Sequence, residues 1–274
     1  ERIKGLEMSL YYLLLLALIQ GLTEFLPVSS SGHLAMLPTL TGQDDQGQFI
    51  DVAVHIGTLG AVILYFWTDV KSAFFGFFRL FAGDASSAGA RLAMLLIIAT
   101  IPVIVFGLML KITGLDDAMR SIKVIGWSML IFGLLLYWVD QKAPQTKTEG
   151  NWNIPDAIKM GVWQAIALIP GSSRSGMTIT GARQLGYTRT DGAKIAMLMS
   201  IPTIIASGTL LGVEVAANAD WTAAKNGAIA AIFSFAAGLL ALSLMMRLLK
   251  SISFTPYVIY RFFLGLILLW IAYT

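Results

Sequence analysis

Two polar clusters interrupt apolar stretches, and both carry side chains suited to phosphate. The first, Gln20 to His33 (QGLTEFLPVSSSGH), offers the Glu24 carboxylate, the His33 imidazole and the hydroxyls of Ser29, Ser30 and Ser31. The second, Gln164 to Thr178 (QAIALIPGSSRSGMT), offers the Arg174 guanidinium among Ser172, Ser173, Ser175 and Thr178. Arginine stays charged and grips phosphate bidentately, which lysine does not. A carboxylate orients a nucleophile, takes its proton or holds a hard cation. Imidazole titrates near neutrality and serves as acid, base or nucleophile. Together these groups point to phosphoryl chemistry.

Glu24 follows Gln20 by four residues, so both lie on one helical face. A carboxylate at bilayer depth costs about 2.5–3.5 kcal/mol on insertion scales and marks a functional candidate. The structural alternative is a Glu24 satisfied by nearby hydroxyls or by Arg174. Pro27 ends a half-helix, and Ser29, Ser30 and Ser31 supply caps for a second helix starting near Gly32. The free N–H groups of such a start suit an anion. Gly171 and Gly176 allow close backbone approach to a ligand. The catalytic candidates are Glu24, His33, Ser30 and Arg174. His33 ranks slightly above Ser30 as nucleophile, because imidazole needs no added base; its other role is acid for the leaving phosphate. Ser29, Ser31, Gly171, Ser172, Ser173, Ser175, Gly176 and Thr178 are the substrate-binding candidates. Glu24 and Gln20 are the metal-ligand candidates. Asp51 and His55, also four apart, read as a structural pair or as the lining of an entrance.

The elements that position these groups belong to a membrane protein. Of 274 residues, 57% are hydrophobic and only 13% charged, against about 25% charged in soluble domains. The net charge of +3 gives no reason to expect nucleic acid. With no cysteine, disulfide and thiolate chemistry are excluded, and two histidines argue against a multi-histidine metal site. Apolar segments fall at 9–38, 52–67, 92–110, 122–139, 160–182, 194–211, 227–246 and 256–273. A span needs about 20 residues. The segments at 9–38 and 160–182 are each broken halfway by proline and polar residues. Irregular backbone at that depth must be buried in protein or line a cavity. The expected fold is an all-α polytopic membrane protein: an inverted repeat with six transmembrane helices plus two re-entrant helical hairpins.

Residues 1–7, ahead of Met8, are expected to be foreign to the fold. The first repeat half covers 8–140, a cytoplasmic linker 141–159 and the second half 160–274, all one integral-membrane domain. Aligning Pro27 with Pro170 pairs Ser29 and Ser30 with Ser172 and Ser173. Paired broken segments in two halves point to a binding site. Basic loops stay cytoplasmic. That rule puts 68–91, 140–159, 183–194 and 247–255 inside, and the acidic loops 40–51 (Asp44, Asp45, Asp51) and 212–226 (Glu214, Asp220) outside. The loop 111–123 then lies outside despite Lys111, Arg120 and Lys123. The two hairpins enter from opposite faces, so their tips meet near the midplane. Trp67, Trp138, Trp152 and Trp221 read as interfacial anchors.

The stretches Gln20–His33 and Pro170–Ile179 (PGSSRSGMTI) closely resemble the two signature motifs of the bacterial undecaprenyl-diphosphate phosphatases, the bacitracin-resistance family. The resemblance extends from Met8 over essentially the whole chain. It implies hydrolysis of undecaprenyl diphosphate to undecaprenyl phosphate and inorganic phosphate, recycling the lipid carrier for peptidoglycan. It also implies a divalent cation, Mg2+ or Ca2+, and a place in the bacterial inner membrane with the active site facing the periplasm. Bacitracin then antagonises by sequestering the lipid substrate, and homodimerisation stays open. The family admits Glu or Gln where Gln20 stands, so the carboxylate burden here falls on Glu24. Ser31 stands where other members have Thr. The competing reading is a transporter or flippase for an anionic prenyl lipid, alone or combined with hydrolysis, since broken helices in inverted repeats also build carriers.

Overall fold

Each polar cluster breaks a helix in two and turns the chain back on itself. The structure is a computed structural model describing residues 9–42, 47–115, 119, 121–216 and 221–274. The first hairpin is α1 (Leu10–Glu24) and α2 (Ser30–Thr41). There follow α3 (Gly47–Tyr65), α4 (Trp67–Phe81), α5 (Ala88–Thr113) and α6 (Ile122–Lys142). A short 3-10 turn (Glu149–Asn151) leads to the second hairpin, α7 (Ile154–Ile166) and α8 (Arg174–Gln184). The chain ends with α9 (Arg189–Ala216), α10 (Trp221–Leu248) and α11 (Thr255–Tyr273). Among the described residues six helices are long and apolar enough to cross a membrane: α3, α5, α6, the Arg189–Thr209 part of α9, α10 and α11. The all-α architecture with six candidate spans is the one expected. Residues 1–7, Asp44, Asp45, Arg120 and Asp220 lie outside the described residues.

The first helix of each hairpin packs against the other half. α1 buries Tyr12, Leu13, Leu16, Ala17, Gln20, Gly21 and Glu24, a stripe of period 3–4, and packs on α10. Gly21 is needed there, because a Cβ would stand 2.6 Å from the Ser234 carbonyl oxygen. α7 buries the matching stripe Asp156, Ala157, Met160, Gly161, Gln164 and Ala165 against α5. α5 and α10 are the second spans of their halves, so each half closes the other. α3 contacts both α9 and α10, and α6 pairs with α11.

The repeat register is one residue off the proline alignment. Ser29 caps α2 and Ser173 caps α8, each accepting a bond from the N–H three residues on, Gly32 (3.4 Å) and Gly176 (3.2 Å). Both serines have φ near +70° (69° and 73°), the only positive-φ residues other than glycine among those described. Such backbone costs of order 1–3 kcal/mol and clusters at functional sites. Equivalence therefore pairs Ser29 with Ser173, Ser30 with Arg174 and Gln20 with Gln164. Cap geometry sets the register; the prolines occupy different places in their turns.

Three further expectations change. The basic segment 68–91 contains α4, read as loop because of Lys71 and Arg79. Its Gly76 is buried against Gly89 of α5, where a Cβ would come within 2.1 Å of backbone, while Phe74, Phe75, Phe78 and Phe81 are exposed. α7 starts at Ile154, inside the expected linker, because Asn153 caps it and Pro155 suits the first turn. Trp152 is buried in the core, so it is no exposed anchor, whereas Trp67, Trp138 and Trp221 are exposed.

The far end of α8 is anchored by a buried charge cluster. Asp140, near the end of α6, accepts from Arg183 Nε (2.9 Å), Arg189 Nε (2.9 Å) and the Phe254 N–H (3.3 Å). Arg183 also donates to the carbonyls of Asp140, Ala143 and Pro144. The pair Asp140–Arg183 has no solvent exposure, and it holds α8 so that its first turn points at the other hairpin.

Candidate active site

Glu24, the last residue of α1, is the meeting point of four side chains. Gln20, one turn back, donates Nε2 to Glu24 Oε2 at 2.8 Å. Ser30, the first residue of α2, donates Oγ to the same oxygen at 2.8 Å. Arg174, the first residue of α8, donates from one terminal nitrogen to Glu24 Oε1 at 2.5 Å and from the other to the Ser200 carbonyl at 3.1 Å. His55 of α3 places Nε2 3.8 Å from Glu24 Oε2. Its Nδ1–H donates to the Asp51 carbonyl at 2.7 Å, which directs Nε2 toward the carboxylate. Glu24 is buried, and Ser30 and Arg174 are partly buried.

The expected site residues sort by what they touch. Gln20, Glu24, Ser30 and Arg174 converge. His33 does not join them: Nδ1–H donates to the Ser29 carbonyl (2.7 Å), and Nε2 accepts from Tyr260 Oη (2.6 Å) on a ring stacked at 3°. Ser29 and Ser173 serve as caps, each beside a second hydroxyl, Ser31 and Ser175. Ser175 also donates across to the Leu26 carbonyl at 2.9 Å, joining the two turns. Ser172 donates to the Ile169 carbonyl, and Thr178 to the carbonyls of Arg174 and Ser175. Gly171 has φ 87°, and a Cβ would meet the Ile125 carbonyl oxygen at 2.5 Å, so packing against α6 requires glycine there. A Cβ on Gly176 would meet an Arg261 nitrogen at 2.8 Å. Most of the second motif thus shapes its turn, and Arg174 is its delivered charge.

His55 reads from the sequence as half of a structural pair or as the lining of an entrance, and the geometry places it beside Glu24. The available signal was an ionisable residue at mid-segment of an apolar helix, which is functional by default. Its partner Glu24 was hidden because the contact crosses two elements.

A family model described as Bacitracin resistance protein BacA matches residues 13–267. The chain belongs to the BacA family. Among its relatives, a protein of Ruegeria pomeroyi named undecaprenyl-diphosphatase is 66% identical over 267 residues, covering 97% of this chain and 100% of the relative. One of Jannaschia sp. with the same name is 66% identical over 266 residues, with the same coverage. A Rhodospirillum rubrum relative named undecaprenyl-diphosphatase 1 is 43% identical over 272 residues, covering 97% of this chain and 96% of its own.

The candidate site has oxygen atoms of the kind a hard cation takes. Gln20 Oε1 is buried without a hydrogen-bond partner, beside the Glu24 carboxylate. Among the described residues no cluster of three or more His, Cys, Asp or Glu could hold a metal. A carboxylate and an amide oxygen suit Mg2+ or Ca2+ completed by phosphate oxygens and water, and do not suit a soft metal.

Proposed function

We propose that this chain is an integral-membrane phosphatase that hydrolyses undecaprenyl diphosphate to undecaprenyl phosphate and inorganic phosphate. Relatives matching nearly its whole length carry that activity in their names. The observation that carries the reading is one carboxylate, Glu24, shared between a hydroxyl from the first hairpin and a guanidinium from the second.

A serine hydroxyl is a weak nucleophile until a base takes its proton. Ser30 Oγ is already hydrogen-bonded to such a base at 2.8 Å. In the proposed step Ser30 Oγ attacks the terminal phosphorus as its proton passes to Glu24. The bond from that phosphorus to the bridging oxygen breaks, and undecaprenyl phosphate leaves. Glu24 passes that proton on, takes one from the water that attacks the phosphoserine, and returns it to Ser30 Oγ as inorganic phosphate leaves. Arg174 turns from Glu24 to the phosphoryl oxygens, while its bond to the Ser200 carbonyl keeps the guanidinium in place. His55 Nε2 stands where it can relay the proton from Glu24. His33, with both ring nitrogens engaged, moves below Ser30 as nucleophile and serves to fix the first turn of α2.

Mg2+ or Ca2+ would be held by Glu24 and Gln20 Oε1, and when bound would neutralise diphosphate charge. The hairpins are proposed as re-entrant, in a bacterial inner membrane, with the site facing the periplasm. Bacitracin, by sequestering the lipid diphosphate, would then compete for the substrate.

The test is phosphate release from undecaprenyl diphosphate by the full chain in detergent, where vectorial transport cannot occur. Wild type is expected to release phosphate, and Arg174→Ala to abolish release while remaining folded. Unchanged release in Arg174→Ala would overturn the site, and no release by wild type would favour a carrier.

A further inference from the structure

Arg261, on α11, is fully buried, and among the described residues no carboxylate lies within ion-pair distance of it. An isolated charge in such surroundings is costly unless polar groups compensate it. The compensation comes from the hairpin turns. One terminal nitrogen donates to the Pro27 carbonyl at 3.3 Å. The other donates to the carbonyls of Gly171 at 3.2 Å and Ser172 at 2.9 Å. Pro27 lies in the first turn and the other two in the second, so a single guanidinium spans both halves of the repeat. A glycine makes room for it: a Cβ on Gly176 of α8 would stand 2.8 Å from its nitrogen. Nε has no partner, so the side chain is placed for what its terminal nitrogens do.

The carbonyls it holds are close in sequence to the reacting groups. Pro27 precedes Ser30 by three residues, and Ser172 precedes Arg174 by two. The two positive-φ caps, Ser29 and Ser173, lie between. We propose that Arg261 is a positioning residue for the hydrolysis: it clamps the two turns at a set separation so that Ser30 and Arg174 both reach Glu24. The Ser175 bond to the Leu26 carbonyl is a second, weaker tie between the same turns. The need is for two nitrogens in a planar fork, one per turn, which a lysine ammonium does not supply.

This inference rests on the phosphatase reading, and the experiment separates the two. The chain has no cysteine, so a spin-label pair can be placed at Ala35 of α2 and Val162 of α7, both exposed. Inter-label distances by pulsed electron resonance read the separation of the hairpins without any turnover. Arg261→Lys and Arg261→Gln are then compared with wild type in detergent. The expected result is a broadened distance distribution in both variants and a kcat lower by about 100-fold, as an ~1 Å misplacement costs. KM should stay within about threefold and both variants should melt cooperatively. Full activity in Arg261→Lys would overturn the clamp, since charge alone would then suffice. A loss confined to KM would make Arg261 a substrate ligand, and an unchanged distance distribution would remove the clamp. Failure of both variants to fold would make the residue a requirement of the fold and also overturn the proposal. Wild type that releases no phosphate defeats the phosphatase reading and the catalytic half of this inference; the distances would still show whether the turns are clamped.

Discussion

Ser30 and Arg174 occupy the same position in two different hairpins, the first residue after a serine cap, and both donate to Glu24. The repeat has kept the scaffold and split the chemistry. One half supplies a hydroxyl and the carboxylate, the other a cation, and Leu168 stands where the second half would carry its own Glu24. Equivalent positive-φ caps aim both first turns at one point.

Ser30 and His33 are separable by kinetics. Ser30→Ala is expected to lower kcat by about 10³-fold or more, as loss of a nucleophile does. His33→Ala should cost far less, because His33 acts through the Ser29 carbonyl and Tyr260. Steady-state phosphate release on both variants checks the order; a larger loss in His33→Ala would restore the imidazole as nucleophile.

His55 should matter although it lies outside both motifs. Its Nε2 faces Glu24 at 3.8 Å. His55→Phe is expected to lower kcat by about 10²-fold, the lower range for a proton-transfer group, with the melting temperature little changed. Activity equal to wild type would return His55 to a structural role.

Gln20 tests the cation. Its buried Oε1 lacks a partner, and a carboxylate there would strengthen an oxygen site for a hard ion. Gln20→Glu is expected to lower the Mg2+ concentration for half-maximal release several-fold, and chelation by EDTA to stop both proteins. Metal-independent turnover would remove Glu24 and Gln20 as ligands.

Asp140 is a stability residue remote from catalysis. Removing its carboxylate leaves Arg183 charged and unpaired in a position without solvent. Asp140→Ala should destabilise by about 3–5 kcal/mol, read as a lower midpoint of unfolding in detergent. A shift near zero would mean that the carbonyls of Asp140, Ala143 and Pro144 already satisfy Arg183.

The broad architecture was legible because it rests on length and apolarity. Six segments near 20 residues and two broken by Pro27 and Pro170 need no tertiary information. The convergence of Glu24, Ser30 and Arg174 was legible too, since a carboxylate and a guanidinium in otherwise apolar segments call for partners, and the structure brings them together. What escaped was set by geometry. Prolines misaligned the repeats because the caps Ser29 and Ser173 are the true equivalents. Lys71 and Arg79 made α4 look like loop, although its phenylalanines recur at helical spacing. The roles of His55 and Arg261 appear only when α3 and α11 pack against the hairpins, as local spacing carries no sign of a contact 31 or 234 residues away.

That Ser30 is activated by Glu24, a carboxylate of its own half that Arg174 of the other half holds, is tested most directly by trapping the intermediate. Undecaprenyl diphosphate labelled in its terminal phosphate is mixed with the full chain, quenched during turnover in a denaturing detergent near neutral pH, where phosphoserine and phosphohistidine both survive, and the peptides are mapped. The expected result is phosphate on Ser30, absent in Ser30→Ala and strongly reduced in Glu24→Gln. Label on His33, or an unlabelled chain whose Ser30→Ala variant still turns over at the wild-type rate, would contradict it.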